Sequence, residues 1–197
     1  MEITKAKKQS HRHVLIFIIA VLLLAAVIVC LFLSGYLGLW VYGMSSIADN
    51  KRYEYVHNEV EGEYSFTIDL THLESNTGKV VFRDGDCYID IQSMDENDGL
   101  YRIHFRSHGV YNIHGATLIS GQTHDISPNH TSSLDIVANL YCLVDENKYS
   151  CKIAGGNGVR QDGDGFSYYI PTEATQDGNA TITLTFSGLV NNKWQKK

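Results

Sequence analysis

Residues 63–70 read EYSFTIDL, and this stretch indicates the fold class of the larger part of the chain. Its even-numbered residues, from Tyr64 to Leu70, are apolar, and its odd-numbered residues, from Glu63 to Asp69, are polar. Successive side chains of a β-strand point to opposite faces of a sheet, so this alternation predicts a strand with one buried face. Such a face must pack against another apolar layer.

The same period of two recurs along the chain beyond its first 50 residues. Residues 101–106, 134–140 and 181–186 all alternate in this way, and long stretches with the helical period of 3.6 are missing. We expect about nine or ten short strands separated by turn-like residues, which is typical of an all-β domain, either a β-sandwich or barrel-like. Asp84-Gly85 predicts a tight hairpin turn that sets Phe82 opposite Cys87.

A different kind of segment precedes the predicted β domain. Val14 to Leu33 are twenty consecutive apolar residues, which as a helix would span about 30 Å, the thickness of a bilayer core. The aromatic residues Tyr36, Trp40 and Tyr42 follow, as is typical of a membrane interface. The alternative is a cleaved signal peptide, whose apolar core is usually only about 7–15 residues long. The length therefore favours an uncleaved single-pass signal anchor.

The charges predict the orientation of that anchor. Residues 1–13 carry four basic side chains and one acidic side chain, whereas residues 44–197 carry 12 basic and 21 acidic ones. Basic flanks usually stay in the cytoplasm, so the remainder of the chain is expected outside the cell membrane. The acidic balance argues against a nucleic-acid partner. We therefore expect a cytoplasmic tail (1–13), an anchor helix (14–43), a short linker (44–50) and an extracytoplasmic β domain (51–197).

The cysteines of the predicted outer domain suggest one disulfide. A hairpin turn centred between Glu146 and Asn147 places Cys142 directly opposite Cys151. Opposed β-carbons lie about 4.5–5.5 Å apart, which needs little adjustment to reach disulfide geometry. Because an outside location favours oxidation, we predict that Cys142 and Cys151 form a disulfide that pins this hairpin. Cys87 is expected to be a buried core thiol.

One polar strand face is a candidate site for an anionic partner. Arg102, His104, Arg106 and His108 share a face if the strand at 101–106 continues. Such a row could bind a polymer phosphate, a lipid headgroup or an acidic protein surface. The alternative is an ordinary solvated face neutralised by acidic neighbours on adjacent strands, such as residues 63 or 69.

Metal sites are weakly indicated. The acidic turn at Asp162 and Asp164 is a candidate calcium site, although it lacks the spacing of the twelve-residue calcium loop. Residues 104–130 of the predicted β domain also contain five scattered histidines, namely His104, His108, His114, His124 and His130. Their spacing is not that of a zinc site, so no cofactor is expected apart from the calcium candidate. Two sequons, at Asn129 and Asn179, would matter only in a eukaryotic source.

The sequence predicts a binding or assembly role for the whole chain, on an envelope protein or a surface ligand. No catalytic constellation can be read from the spacing, and a single anchor with a compact β domain suits a recognition surface held near the membrane. Two alternatives stay open. One is a membrane-tethered hydrolase or transferase that uses some of His104, His108, His114 and His124, and the other is a self-associating structural subunit.

Overall fold

The chain divides into a helical unit and a β-rich unit. A computed structural model describes residues 2–126, 132–144, 147–175 and 180–197. Met1–Val41 forms the first unit and Tyr42–Lys197 the second. Helix α1 spans Glu2–Ser34, and helix α2 spans Tyr36–Tyr42.

Helix α1 contains the apolar stretch noted in the sequence. Its segment Val14–Ser34 has a mean hydropathy of 3.6 and is long enough to cross a membrane. None of that segment is buried against the rest of the chain, unlike the core helix of a soluble protein. Gly35 separates α1 from α2 with φ +87°, a conformation that glycine adopts without steric cost. The chain thus carries one N-terminal helix with the properties of a membrane span.

Thirteen strands form the β-rich unit within the described residues. Two of them are long, because β1 has 17 residues and β13 has 16. The expectation of nine or ten strands was therefore too low, and the expectation that all of them are short was wrong for β1 and β13. The strands are β1 (Tyr53–Asp69), β2 (Val80–Asp84), β3 (Cys87–Asn97), β4 (Leu100–His108), β5 (Val110–Asn112), β6 (Gly115–Ser120), β7 (Gln122–Ile126), β8 (Ser132–Ile136), β9 (Asn139–Val144), β10 (Asn147–Ser150), β11 (Lys152–Asn157), β12 (Gly165–Tyr169) and β13 (Thr181–Lys196).

The larger sheet is organised around β13. Its order is β10-β9-β13-β6-β5, and β1 pairs with the other side of β13. The β1–β13 ladder is antiparallel and runs from the pair Tyr53 and Lys196 to the pair Asp69 and Thr181, with a bulge between Val60 and Glu63. The first and last strands of the unit are therefore joined along nearly their whole lengths.

The second sheet has the order β11-β12-β4-β3-β2, and β7 and β8 form a separate two-stranded ribbon. The two larger sheets share one apolar core, in which Phe105 of β4 packs on Phe66 of β1 and Phe186 of β13. The alternation predicted for residues 63–70 is confirmed, because Phe66, Ile68 and Leu70 are all buried in this core.

The segment between α2 and β1 is bound to the β-rich unit. It contains the short helix α3, Ser45–Ala48, and Met44 and Ile47 are buried. The Met44 amide donates to the Gln161 carbonyl at 2.8 Å, and the Ser45 amide donates to the Arg160 carbonyl at 3.1 Å. Residues 44–50, expected as a linker, thus attach to the loop between β11 and β12.

The hairpin formed by β2 and β3 differs from its predicted register. Asp84 pairs with Cys87 and Phe82 pairs with Ile89, so Phe82 does not lie opposite Cys87. The turn residues are therefore Gly85 and Asp86 rather than Asp84 and Gly85. Only Gly85 has positive φ, at +58°, which is the pattern of a turn that needs glycine at its first central position.

The predicted strand register, which placed Cys142 directly opposite Cys151, is also wrong. Tyr149 lies opposite Cys142, and the Cys151 amide donates to the carbonyl of Leu140 at 2.9 Å. The register is thus shifted by two residues, which leaves the cysteines as diagonal neighbours on one face. Both are free thiols. Hydrogen bonding between them lowers the pKa of Cys142 and raises that of Cys151.

Candidate functional site

The candidate row of basic side chains lies on β4, on the face of the second sheet that points away from the core. Ile103 and Phe105, which alternate with the row, are fully buried. The row members are partly exposed, with side-chain exposures of 38% for Arg102, 28% for His104, 39% for Arg106 and 16% for His108. The sequence thus placed all four on one face correctly.

One aspartate neutralises the first half of this row. Asp95 lies directly opposite Arg102 in the β3–β4 ladder. Its Oδ2 atom accepts hydrogen bonds from the Arg102 Nε and Nη2 atoms, both at 3.3 Å, and lies 3.0 Å from the His104 Nε2 atom. A single carboxylate therefore serves two members of the row.

Two further aspartates face the second half of the row. The Arg106 guanidinium donates to Asp162, whose other oxygen lies 3.1 Å from the His108 Nδ1 atom. Partial burial raises the pKa of Asp162, but the hydrogen bond and charge of Arg106 outweigh it and leave that pKa lowered. The His108 Nε2 atom lies 3.4 Å from Asp90, and the His108 ring stacks on Tyr88 at 4.2 Å.

These contacts change the interpretation of the row as a cationic surface. Two arginines face three aspartates, so the group carries a formal charge of −1 when both imidazoles are neutral. The expected neutralising partners at positions 63 and 69 are not the ones used, because residues 90, 95 and 162 take that role. The row is thus an internally paired network, and its use by an anionic partner stays a prediction.

A groove runs beside this network on the same face. It consists of two adjoining depressions of about 190 and 90 Å³ that share Gln92, Asn157 and Gly165 in their walls. His104 lines the first depression, and Arg106 lines the second.

The floor of the groove follows from small residues on β12 and β11. Gly165 pairs with Arg106, and Ser167 pairs with His104, so β12 offers almost no side chain at these two levels. On β11, Gly155 lies opposite Ser167, and Asn157 lies opposite Gly165. Large side chains on β4 beside small ones on β12 leave a trough in which a ligand could approach the backbone.

Three polar side chains around the groove are available to a ligand. Gln92, Asn157 and Arg160 line the depressions, and within the described part of the chain none of these three side chains has a hydrogen-bonding or ionic partner. Amides and guanidinium groups donate hydrogen bonds in fixed directions. None of the three was predicted from the sequence. The glycine-rich run at 155–158 was the signal that could have directed attention to them.

A buried polar cluster lies below the second depression. The Asp164 carboxylate has no exposed side-chain area and lies 2.6 Å from the His124 Nε2 atom. The Ser120 hydroxyl lies within hydrogen-bonding distance of both carboxylate oxygens, at 2.9 and 2.7 Å. The carboxylate therefore sits between the hydroxyl and the imidazole. This order lacks the serine–histidine contact that activates a hydrolase nucleophile.

The two calcium candidates, Asp162 and Asp164, lie in different surroundings. Asp162 is paired with Arg106 and His108, and Asp164 is engaged by Ser120 and His124. Across the described ranges, no cluster of three or more histidine, cysteine or acidic side chains has the arrangement of a metal site.

The candidate catalytic histidines occupy separate surroundings. His104 contacts Asp95, His108 contacts Asp90 and Asp162, His124 is buried beside Asp164, and His114 is exposed at the β5–β6 turn. His130 and the sequon asparagines at 129 and 179 lie outside the described residues. Among the histidines that the structure describes, His104, His108 and His124 each contact different aspartates.

The fold and the site together define a β-rich domain that follows one apolar helix and carries a polar groove on an outer sheet face. No family model, curated protein or solved structure matches the chain.

Proposed function

We propose that the chain is a membrane-anchored binding module whose groove recognises an anionic surface ligand. In this proposal α1 spans the cell membrane with its basic end in the cytoplasm, and the β-rich unit lies outside as a recognition domain. The observation that carries the proposal is the meeting of Gln92, Asn157 and Arg160 at adjoining depressions beside Arg106.

The chemistry of the groove favours hydrogen-bond acceptors on the ligand. Arg160 is exposed and has no ionic partner in the described residues, whereas Arg106 already shares its charge with Asp162. Arginine binds carboxylate and phosphate groups through paired N–H donors. The amides of Gln92 and Asn157 would fix the orientation of neighbouring polar groups on the same ligand. A polymer with repeated acidic groups fits an open groove of this kind.

The first test is binding of two acidic polymers, polygalacturonate and polyphosphate, to the full-length protein in nanodiscs of neutral lipid. We expect at least one polymer to bind in calorimetry. Arg160→Gln should weaken that binding about tenfold, the usual effect of losing one charge-assisted hydrogen bond.

Arg83→Gln is the matched control because it removes the same charge from an exposed position on β2, away from the groove. The Arg83 guanidinium lies over the ring of Tyr88, 4.6 Å from its centroid, and does not line the groove. Equal weakening by both substitutions would show a general charge effect and refute the groove. Absence of binding by both polymers would refute the anionic ligand.

A further inference from the structure

The β-rich unit has one basic end on an otherwise acidic surface. Five of its twelve basic side chains occur in residues 51–52 and 193–197, where the only acidic neighbours in sequence are Asp49 and Glu54. This group, called the basic end below, carries a formal charge of +3 with its two acidic neighbours. The rest of residues 44–197 holds seven basic and 19 acidic side chains, a formal charge of −12. Positive charge is therefore concentrated at the basic end, and the rest of residues 44–197 is strongly negative.

Strand pairing brings the two basic segments together. Tyr53 pairs with Lys196 at the end of the β1–β13 ladder, and the Lys197 amide donates to the Arg52 carbonyl at 2.9 Å. The side chains of Arg52, Lys196 and Lys197 are exposed. Segments more than 140 residues apart in sequence thus form one charged surface.

A depression adjoins this surface. It measures about 220 Å³ and is lined in part by Asn112, His114 and Lys193. The Lys196 amide donates to the His114 carbonyl at 2.9 Å, which fixes the β5–β6 turn beside the end of β13. A small anionic headgroup would find both an ammonium group and polar side chains there.

The chain enters the β-rich unit at this same end. Only nine residues, 35–43, separate the segment Val14–Ser34 from Met44, and nine extended residues reach about 30 Å at most. Met44 and Ile47 are buried in the unit, and β1 begins at Tyr53, directly after the first two basic residues. The tether is therefore short enough for the basic end to reach a bilayer that α1 crosses.

We propose that the basic end binds anionic lipid headgroups of the membrane in which the chain is anchored. Clusters of lysine and arginine beside a membrane span are attracted to anionic lipid, and the attraction falls off within a Debye length of about 8–10 Å. The tether of at most about 30 Å lets the basic end reach within that distance of the bilayer, while the acidic remainder of the unit is repelled from the same surface. The interaction orients the unit on the bilayer. This surface is distinct from the groove, so the two proposals fail independently.

The test uses the full-length protein in nanodiscs of neutral lipid and in nanodiscs with about 30% anionic lipid, a content that gives a marked surface potential. Hydrogen exchange of the Lys196 and Lys197 amides is the readout, because both are hydrogen-bonded at the basic end. We expect their exchange to slow by roughly threefold or more in anionic discs, and the slowing to disappear in about 0.5 M salt.

Two triple variants, each of which removes three positive charges, separate binding at this surface from a general charge effect. The triple variant Arg52→Gln, Lys193→Gln, Lys196→Gln should lose the lipid effect, and the single variant Lys196→Gln should lose part of it. The control Lys79→Gln, Arg83→Gln, Lys152→Gln should keep it. Equal exchange in the two kinds of disc would overturn the proposal, as would an equal loss in the control. Inorganic phosphate that reproduces the slowing in neutral discs would also overturn it, in favour of a site for small anions.

Discussion

Replacement of Asp164 by alanine tests the physical role of the buried cluster below the groove. Its carboxylate is fully buried and is contacted by the Ser120 hydroxyl and the His124 imidazole. Removing it leaves both partners without their acceptor at an almost fully buried position. The backbone around Asp164 also holds the groove, because its carbonyl accepts from the Ser107 amide at 3.0 Å.

The expected loss of stability follows from the two orphaned groups. A buried polar group left without a partner costs about 1–3 kcal/mol, so two of them cost about 2–6 kcal/mol, towards the lower end if the cluster relaxes. Asp162→Ala is the matched control, since Asp162 is 38% exposed and its ion pair with Arg106 is shared with solvent. Exposed ion pairs contribute about 1 kcal/mol or less, so we expect a correspondingly small loss there.

The assay is urea unfolding of the full chain in detergent micelles, followed by tryptophan fluorescence. Trp40 is 81% exposed and can be replaced by phenylalanine, which leaves the buried Trp194 as the only reporter. The Trp194 ring lies 5.8 Å from the His124 ring, so its emission reports directly on the cluster. A loss below about 1 kcal/mol for Asp164→Ala, or one no larger than for Asp162→Ala, would refute the reasoning.

Three further predictions concern other parts of the β-rich unit. The Thr71 hydroxyl and neighbouring backbone amides lower the pKa of Asp69 to about 2. Its stabilisation is present above its ordinary pKa of 3.8 and is lost as the pH falls through about 2; Thr71→Ala should raise this pKa in an NMR titration, and an unchanged value would contradict the assignment. Gly163→Ala should cost about 1–3 kcal/mol in urea unfolding, because its Cβ would lie 1.8 Å from a β4 carbonyl oxygen; wild-type stability would disprove that close approach. A mild oxidant should join Cys142 to Cys151 faster than either to another cysteine, since their thiols are hydrogen-bonded, and peptide mapping that finds other pairings first would contradict this contact.

Local periodicity predicted the strands and the faces of their side chains. The alternation at residues 63–70 and the shared face of Arg102 and Arg106 both needed only the period of two, which the backbone geometry of a strand fixes. The apolar helix was equally readable, because its length and composition are local properties of Val14–Ser34.

Register and long-range pairing were not readable in the same way. A two-residue error in a hairpin keeps every side chain on its predicted face, so hydrophobic alternation could not distinguish Cys87 from Ile89 as the partner of Phe82. The register of this hairpin depended on whether Gly85 took the first or the second central position of the turn.

The buried cluster and the partners of the basic row depend on contacts between distant strands. Ser120 and Asp164 are 44 residues apart in sequence, and Arg106 and Asp162 are 56 residues apart. Nothing in the local pattern around these residues specifies which strands become neighbours. The order β11-β12-β4-β3-β2 decides it, and that order follows from packing of the whole core.

The pairing of β1 with β13 also dictates when the β-rich unit can fold during its synthesis. Tyr53 meets Lys196, and β13 supplies the ladder partners of β6 and β9 as well as of β1. The six-stranded sheet therefore cannot close until the ribosome has made and released nearly the last residue of β13. Until then the emerging chain has no completed core, and closing so long a loop makes folding slow. If the β-rich unit is translocated as proposed above, a membrane translocation channel would receive it before this sheet has closed.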